Sequence, residues 1–145
     1  MILADEQETR AAGAMLASVL RPGDTVLLEG PLGAGKTTFV RGVLAALGHV
    51  GEVPSPSFAI VQPYDALALP LWHADLYRID DPAELDELGL ETILSDGVLV
   101  VEWPERAGEG VWGEGALRLS LQPLDTGARR LTVMRSPGWE DRWPR

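Results

Sequence analysis

Apolar positions along the chain recur with two different periods, and the switching between them predicts an α/β fold. Ala12, Met15, Leu16, Val19 and Leu20 fall on one face of a helix, and Asp5 and Glu8 open it with the spacing of a capping box. Arg21-Pro22-Gly23-Asp24 turns the chain into a short apolar strand over 25–29. A second helical pattern follows, with Val40, Val43, Leu44 and Leu47 on one side and Gly48 closing it. Pro54-Ser55-Pro56-Ser57 forbids helix and predicts an extended loop. Strand patterns then occupy 58–64, where Pro63 marks an edge, and 71–75. Asp81-Pro82 predicts a helix start, leading into an acidic surface helix through Glu84, Asp86 and Glu87. Val98-Leu99-Val100-Val101-Glu102 is an unbroken apolar run, the signature of a parallel strand buried on both faces. Beyond a loop-like stretch to Gly115, Leu117, Leu119 and Leu121 alternate with polar residues. Asp125-Thr126-Gly127 then turns, and 129–134 return as the last strand of a hairpin. Residues 136–145 contain Pro137, Gly138 and Pro144 and show no period, so a poorly ordered tail is expected after a single domain over 1–135.

Composition narrows the class. The chain has 145 residues, 46 % hydrophobic and 23 % charged, the balance of one soluble domain with a proper core. No apolar run approaches the ~20 residues of a membrane span, and a basic-then-apolar leader is missing at the N-terminus. With no cysteine, disulfides, zinc–thiolate sites and thiol nucleophiles are excluded. These features point to the cytoplasm. A net charge of −10 repels polyphosphate backbones, which disfavours direct nucleic-acid binding by this chain alone.

The strongest chemical signal lies between the first strand and the second helix. Gly30-x-x-x-x-Gly35-Lys36-Thr37 is a complete P-loop pattern in its required context. Its glycines, including Gly33 beside Ala34, let successive backbone N–H groups turn toward phosphate oxygens at a helix N-terminus. Lys36 is expected to reach the β- and γ-phosphates, and the Thr37 hydroxyl, next to Thr38, to ligate Mg²⁺. Lys36 is also the one lysine beside eleven arginines, retained where a compact ammonium must sit among phosphates. In open α/β sheets ligands bind at the carboxyl ends of strands, so Glu102 and Asp75 are the carboxylates to watch. Glu102 is the first choice for a second Mg²⁺ contact. Asp75 is placed to orient the attacking water or to hold a magnesium-bound one. His73 is expected to be packed, and Trp72, Trp103 and Trp112 to be core or rim aromatics, with Trp103 able to wall the pocket. Asp86-x-x-Gly89 copies a GTPase switch motif but lies in an acidic helix, a coincidence. A guanine-reading Lys motif is impossible because the single lysine is already used, which favours ATP over GTP. The overall expectation is a P-loop NTPase fold with a mostly parallel central sheet, an antiparallel hairpin and few helices.

Four motifs in order and spacing resemble the TsaE (YjeE) family of small bacterial P-loop ATPases. They are Gly30 through Thr38, Ser55-Pro56-Ser57, His73-x-Asp75-x-Tyr77-Arg78 and Val101-Glu102-Trp103-Pro104-Glu105. The resemblance covers roughly residues 5 to 134. It implies an ATP- or ADP-binding, Mg²⁺-dependent ATPase acting in threonylcarbamoylation of the adenosine next to the anticodon in tRNAs reading ANN codons. It further implies a TsaB–TsaD heterodimer as partner, tRNA reached only through that complex, and hydrolysis that is weak without it. The loop around Ser55-Pro56-Ser57 and the segment near Tyr77-Arg78 are the expected contact regions. Carried onto this chain, Lys36 would contact phosphate, Thr37 and Glu102 would bind Mg²⁺, and Asp75 would lie by the γ-phosphate. Thr9 would lie near the base, and Arg130 aligns loosely with a nucleotide-contacting position. Two departures stand out: Ser57 where the family usually has Thr, and Pro31 where it usually has Asp. The competing readings are a small-molecule P-loop kinase, which lacks an arginine-rich lid here, and a nucleotide-dependent switch that hydrolyses negligibly. Turnover with and without partners separates them.

Overall fold

A computed structural model of the chain describes residues 1–53, 61–79, 81, 83–84, 89–108 and 110–143. The expected loop at Ser55-Pro56-Ser57, the first residues of the 58–64 strand, Pro82, and residues 85–88 of the acidic helix, with Asp86, fall outside them; at its start Asp81 accepts from Ala83 N at 3.0 Å, as an N-cap does. Strand β1 (Ile2–Leu3) leads into helix α1 (Glu6–Ala17). Asp5 caps the helix by accepting from Glu8 N at 2.9 Å, while Glu8 reaches back to Ala4 N at 2.9 Å. Strand β2 (Thr25–Glu29) and helix α2 (Lys36–Ala46) flank the glycine loop. Next come β3 (Val61–Tyr64), β4 (Leu71–Asp75), the short α3 (Leu90–Leu94) and β5 (Val98–Glu102). A 3₁₀ turn over Pro104–Ala107 and the hairpin of β6 (Leu117–Pro123) and β7 (Arg129–Val133) complete the order.

One seven-stranded sheet runs β1-β7-β6-β2-β5-β4-β3. Its centre is parallel, with β2 between β6 and β5, and β5 between β2 and β4. Its margins are antiparallel: β3 against β4, β7 against β6, and β1 against β7. Pro63 sits in β3, the edge strand, where the missing N–H costs no ladder bond on the open side. All five residues of β5 are buried, as an unbroken apolar run between two parallel neighbours requires.

Strand alternation divides the core between two faces. Val26, Leu28, Leu71, Val98 and Val100 pack with α1 and α2, whereas Leu27, Ala74, Leu99 and Val101 pack with Leu76, Ile79, Ile93 and Ala107. Helix α1 buries Thr9, Ala12, Gly13, Leu16 and Ala17. Met15, expected on that face, is 46 % exposed, because close approach of α2 shifts the contact stripe onto the small residues. A Cβ on Gly13 would collide with the Phe39 carbonyl, and one on Gly42 with the Arg10 backbone. The two helices therefore touch backbone to backbone.

The tail differs from the expectation of poor order. Trp139 and Trp143 are each 2 % exposed, and Trp139 Nε1 donates to Gly115 O at 2.9 Å. Arg142 lies 3.9 Å over the Trp139 ring, donates to Asp24 Oδ2 at 2.6 Å and to Val19 O at 2.7 Å. Two large aromatics one helical turn apart supply apolar area that local punctuation by Pro and Gly conceals.

Candidate functional site

The carboxyl ends of β2, β4 and β5 open on one side of the sheet, and the glycine loop crosses it. Gly33 and Gly35 both have positive φ, 77° and 99°, and Gly35 is the residue on which α2 begins. A Cβ there would stand 2.7 Å from the guanidinium of Arg129, so the loop is tight against that side chain. The cleft measures about 310 Å³ and is lined by the loop from Leu32 to Thr38, with Glu6, Asp75, Glu102, Trp103 and Arg129. A larger groove of about 940 Å³ runs between α1 and α2, but none of the glycine loop lines it.

Lys36 is only 5 % exposed, and its Nζ donates to Gly30 O at 2.5 Å. The same ammonium lies 3.6 Å over the ring of Trp103. Burial pulls Lys36 below the usual lysine range, while the carboxylates of Glu102, Asp75 and Glu105 push it back up. Trp103 has φ 58°, a left-handed conformation that a bulky residue rarely adopts. Its ring is held by Lys36 on one hand and by Tyr77, 4.9 Å away, on the other.

Strand alternation puts Leu71, His73 and Asp75 on the face toward α2, and register sets Asp75 beside Glu102. Glu102 is 3 % exposed. Its Oε2 contacts Thr37 Oγ1 at 3.1 Å and His73 Nε2 at 2.5 Å, and its Oε1 lies 3.4 Å from Thr37 Oγ1. Asp75 makes a turn contact instead, accepting from Tyr77 N at 3.0 Å. Burial raises the Asp75 carboxyl above the usual range; the Tyr77 bond lowers it and Glu102 raises it.

Of the residues marked from sequence, Gly33, Ala34, Gly35, Lys36, Thr37, Thr38, Asp75 and Glu102 come together in this cleft. Thr9 and Arg130 are not among its lining residues. Thr9 is wholly buried and its hydroxyl donates to Asp5 O at 2.9 Å, closing the first turn of α1. Arg130 is exposed and sits opposite Ile2, while its neighbour Arg129 enters the cleft. One residue of displacement along a strand reverses the face. The sequence reading marks Arg130 and not Arg129, and the strand register, which spacing does not contain, separates them. Glu6 carried no sequence signal beyond its place in the first turn of α1.

A strand, a glycine loop and a helix at the parallel centre of a mixed sheet define a P-loop α/β protein. Residues 3–131 match the model of the family described as "Threonylcarbamoyl adenosine biosynthesis protein TsaE". The chain belongs to the TsaE family of tRNA threonylcarbamoyladenosine biosynthesis proteins. It is 43 % identical to the TsaE protein of Streptomyces coelicolor, covering 92 % of this chain and 93 % of that one. It is 41 % identical to the TsaE protein of Rickettsia felis, over 92 % of this chain and 78 % of the relative. In fold it is similar to the crystal structure of Bacillus subtilis YdiB, with a TM-score of 0.80 and 31 % identity over 97 % of this chain and 87 % of that one. No helix among the described residues is long and apolar enough to cross a membrane.

Proposed function

We propose that this chain binds ATP and ADP with Mg²⁺ and hydrolyses ATP, weakly alone and faster with a TsaB–TsaD-like heterodimer whose cycle it drives. The observation that carries this reading is the meeting of the Thr37 hydroxyl with the buried Glu102 carboxylate at the mouth of a lysine-bearing glycine loop. Among the described residues no three His, Asp or Glu side chains form a cation cage. One hydroxyl and one carboxylate instead suit Mg²⁺, which keeps waters and shares phosphate oxygens. Thr37 and Glu102 would hold it, and when bound it supplies charge neutralisation at the β- and γ-phosphates. The glycine-loop amides would cradle phosphate, and Lys36 would exchange its Gly30 carbonyl and Trp103 contacts for phosphate oxygens. Asp75 would lie by the γ-phosphate and orient water. Arg129, across Gly35, adds a cation at the phosphate end. Role in tRNA modification would then pass through protein contacts, since a chain of net charge −10 has little to offer a phosphate backbone.

Calorimetric titration with ATP and ADP, with and without Mg²⁺, tests the site. Lys36→Ala is expected to lose nucleotide binding, each charge-assisted hydrogen bond being worth about 1.5–3 kcal/mol. Lys36→Arg should fail as well, because the planar fork does not fit a slot between Gly30 O and the Trp103 face. Native affinity in the arginine variant would sink the role of Lys36. Turnover indifferent to the heterodimer, or tight tRNA binding by the isolated chain, would sink the coupling.

A further inference from the structure

We infer that His73 is a positioning residue that fixes the Glu102 carboxylate for cation binding. This rests on the reading of Glu102 as the group that holds Mg²⁺. His73 is wholly buried in β4, on the face it shares with Leu71, and lies diagonally across from Glu102 in β5. An apolar side chain would fill that place without burying polar atoms. The imidazole instead leaves Nδ1 buried with no partner among the described residues and spends Nε2 on Glu102 Oε2 at 2.5 Å. An ionised carboxylate can only accept, so Nε2 carries the proton and donates. Thr37 Oγ1 reaches the same Oε2 at 3.1 Å. Oε2 is thereby held from two sides, and among the described residues Oε1 has only the 3.4 Å contact to Thr37. The Glu102 side chain has three torsions, and these contacts restrain them before a cation arrives. Asp75, the neighbouring strand-end carboxylate, has no such side-chain brace among the described residues and accepts from a backbone N–H two residues on.

The test uses the full chain, with ADP titrated at several Mg²⁺ concentrations and in its absence. His73→Phe removes the donor and keeps the bulk. The Mg²⁺ concentration needed for half its effect on ADP affinity should rise roughly ten-fold or more, the usual cost of losing a partner of a metal ligand. ADP affinity without Mg²⁺ should stay within about two-fold, since His73 does not line the cleft. His73→Gln carries an amide N–H near the Nε2 position and should recover most of the Mg²⁺ response. His73→Asn, whose amide reaches only the Nδ1 position, should not. This pair decides the matter even if the phenylalanine variant fails to fold. A folded His73→Phe with native Mg²⁺ response, or Gln and Asn variants that behave alike, would overturn the assignment. Glu102→Gln is the control: a native Mg²⁺ response there would remove the cation role of Glu102 itself, whereas its loss with His73→Phe unaffected would reject only the brace. A second readout needs neither nucleotide nor metal. Nitrogen-15 correlation spectra of the free protein should show the His73 proton on Nε2 and a far-downfield N–H that moves in Glu102→Gln, and a proton found on Nδ1 alone would count against the proposal.

Discussion

The ends of β4 and β5 invite comparison, because register places Asp75 directly beside Glu102 and both are acids that follow apolar runs. Their surroundings differ. Glu102 is buried and engaged by two side chains distant in sequence, His73 and Thr37. Asp75 is half-buried and engaged by the backbone of its own turn, at Tyr77 N. One acid is fixed by tertiary packing and the other by local geometry. The first is therefore suited to hold something still, and the second remains free to gain or release a partner at the cleft.

Breaking the buried member should have the largest effect. Glu102→Ala strips His73 and Thr37 of their shared acceptor and leaves a buried imidazole with no partner among the described residues. A stability loss of about 1–3 kcal/mol in denaturant titration is expected, together with loss of the Mg²⁺ response. A native denaturation midpoint would contradict the buried network. Asp75→Asn should sharpen the contrast in the opposite direction. Its amide oxygen can still accept from Tyr77 N, so ADP binding should persist while hydrolysis falls. Stability should also rise at neutral pH. Because burial raises the Asp75 carboxyl above its ordinary value of 3.8, its stabilising contribution is complete below that value and is lost as pH climbs through the folded-state value. The asparagine variant escapes that loss, so its gain in melting temperature should shrink as pH falls toward 3.8. A gain that grows on acidification would reverse the sign. The smallest effect concerns the adjacent arginines of β7. Arg129→Ala should weaken ADP binding a few-fold, the worth of roughly one exposed charge contact, and Arg130→Ala should leave it unchanged. Equal effects would show that the strand register does not decide which of them meets nucleotide.

Much of the centre was legible because periodicity there coincides with burial. Strands 25–29, 71–75 and 98–102 begin and end in the structure where the apolar runs do. The loop glycines and Lys36 carry their chemistry in their spacing, so the cleft floor could be read as well. What escaped depends on long-range partners. Strand β1 is two residues long and exists through pairing with β7, which no local pattern announces. The Trp139–Trp143 tail lacks a period because its order comes from Asp24, Val19 and Gly115. The choice between Arg129 and Arg130 needs a register that neither composition nor spacing contains. His73 was read as packed, and so it is; that its packing partner is Glu102 is visible only across strands.

The glycine contact between α1 and α2 has a mechanical consequence. Gly35 starts α2, Gly42 locks α2 to α1 at Gly13, and α1 joins β1 through Ala4 and Asp5. Strand β1 pairs with β7, where Leu3 faces Arg129, and Arg129 lies back against Gly35. The contacts close into a hoop around the phosphate end of the cleft. With their backbones touching, α1 and α2 form one packed unit, and the glycine loop is linked contact by contact to the sheet margin at β1, at the edge opposite β3.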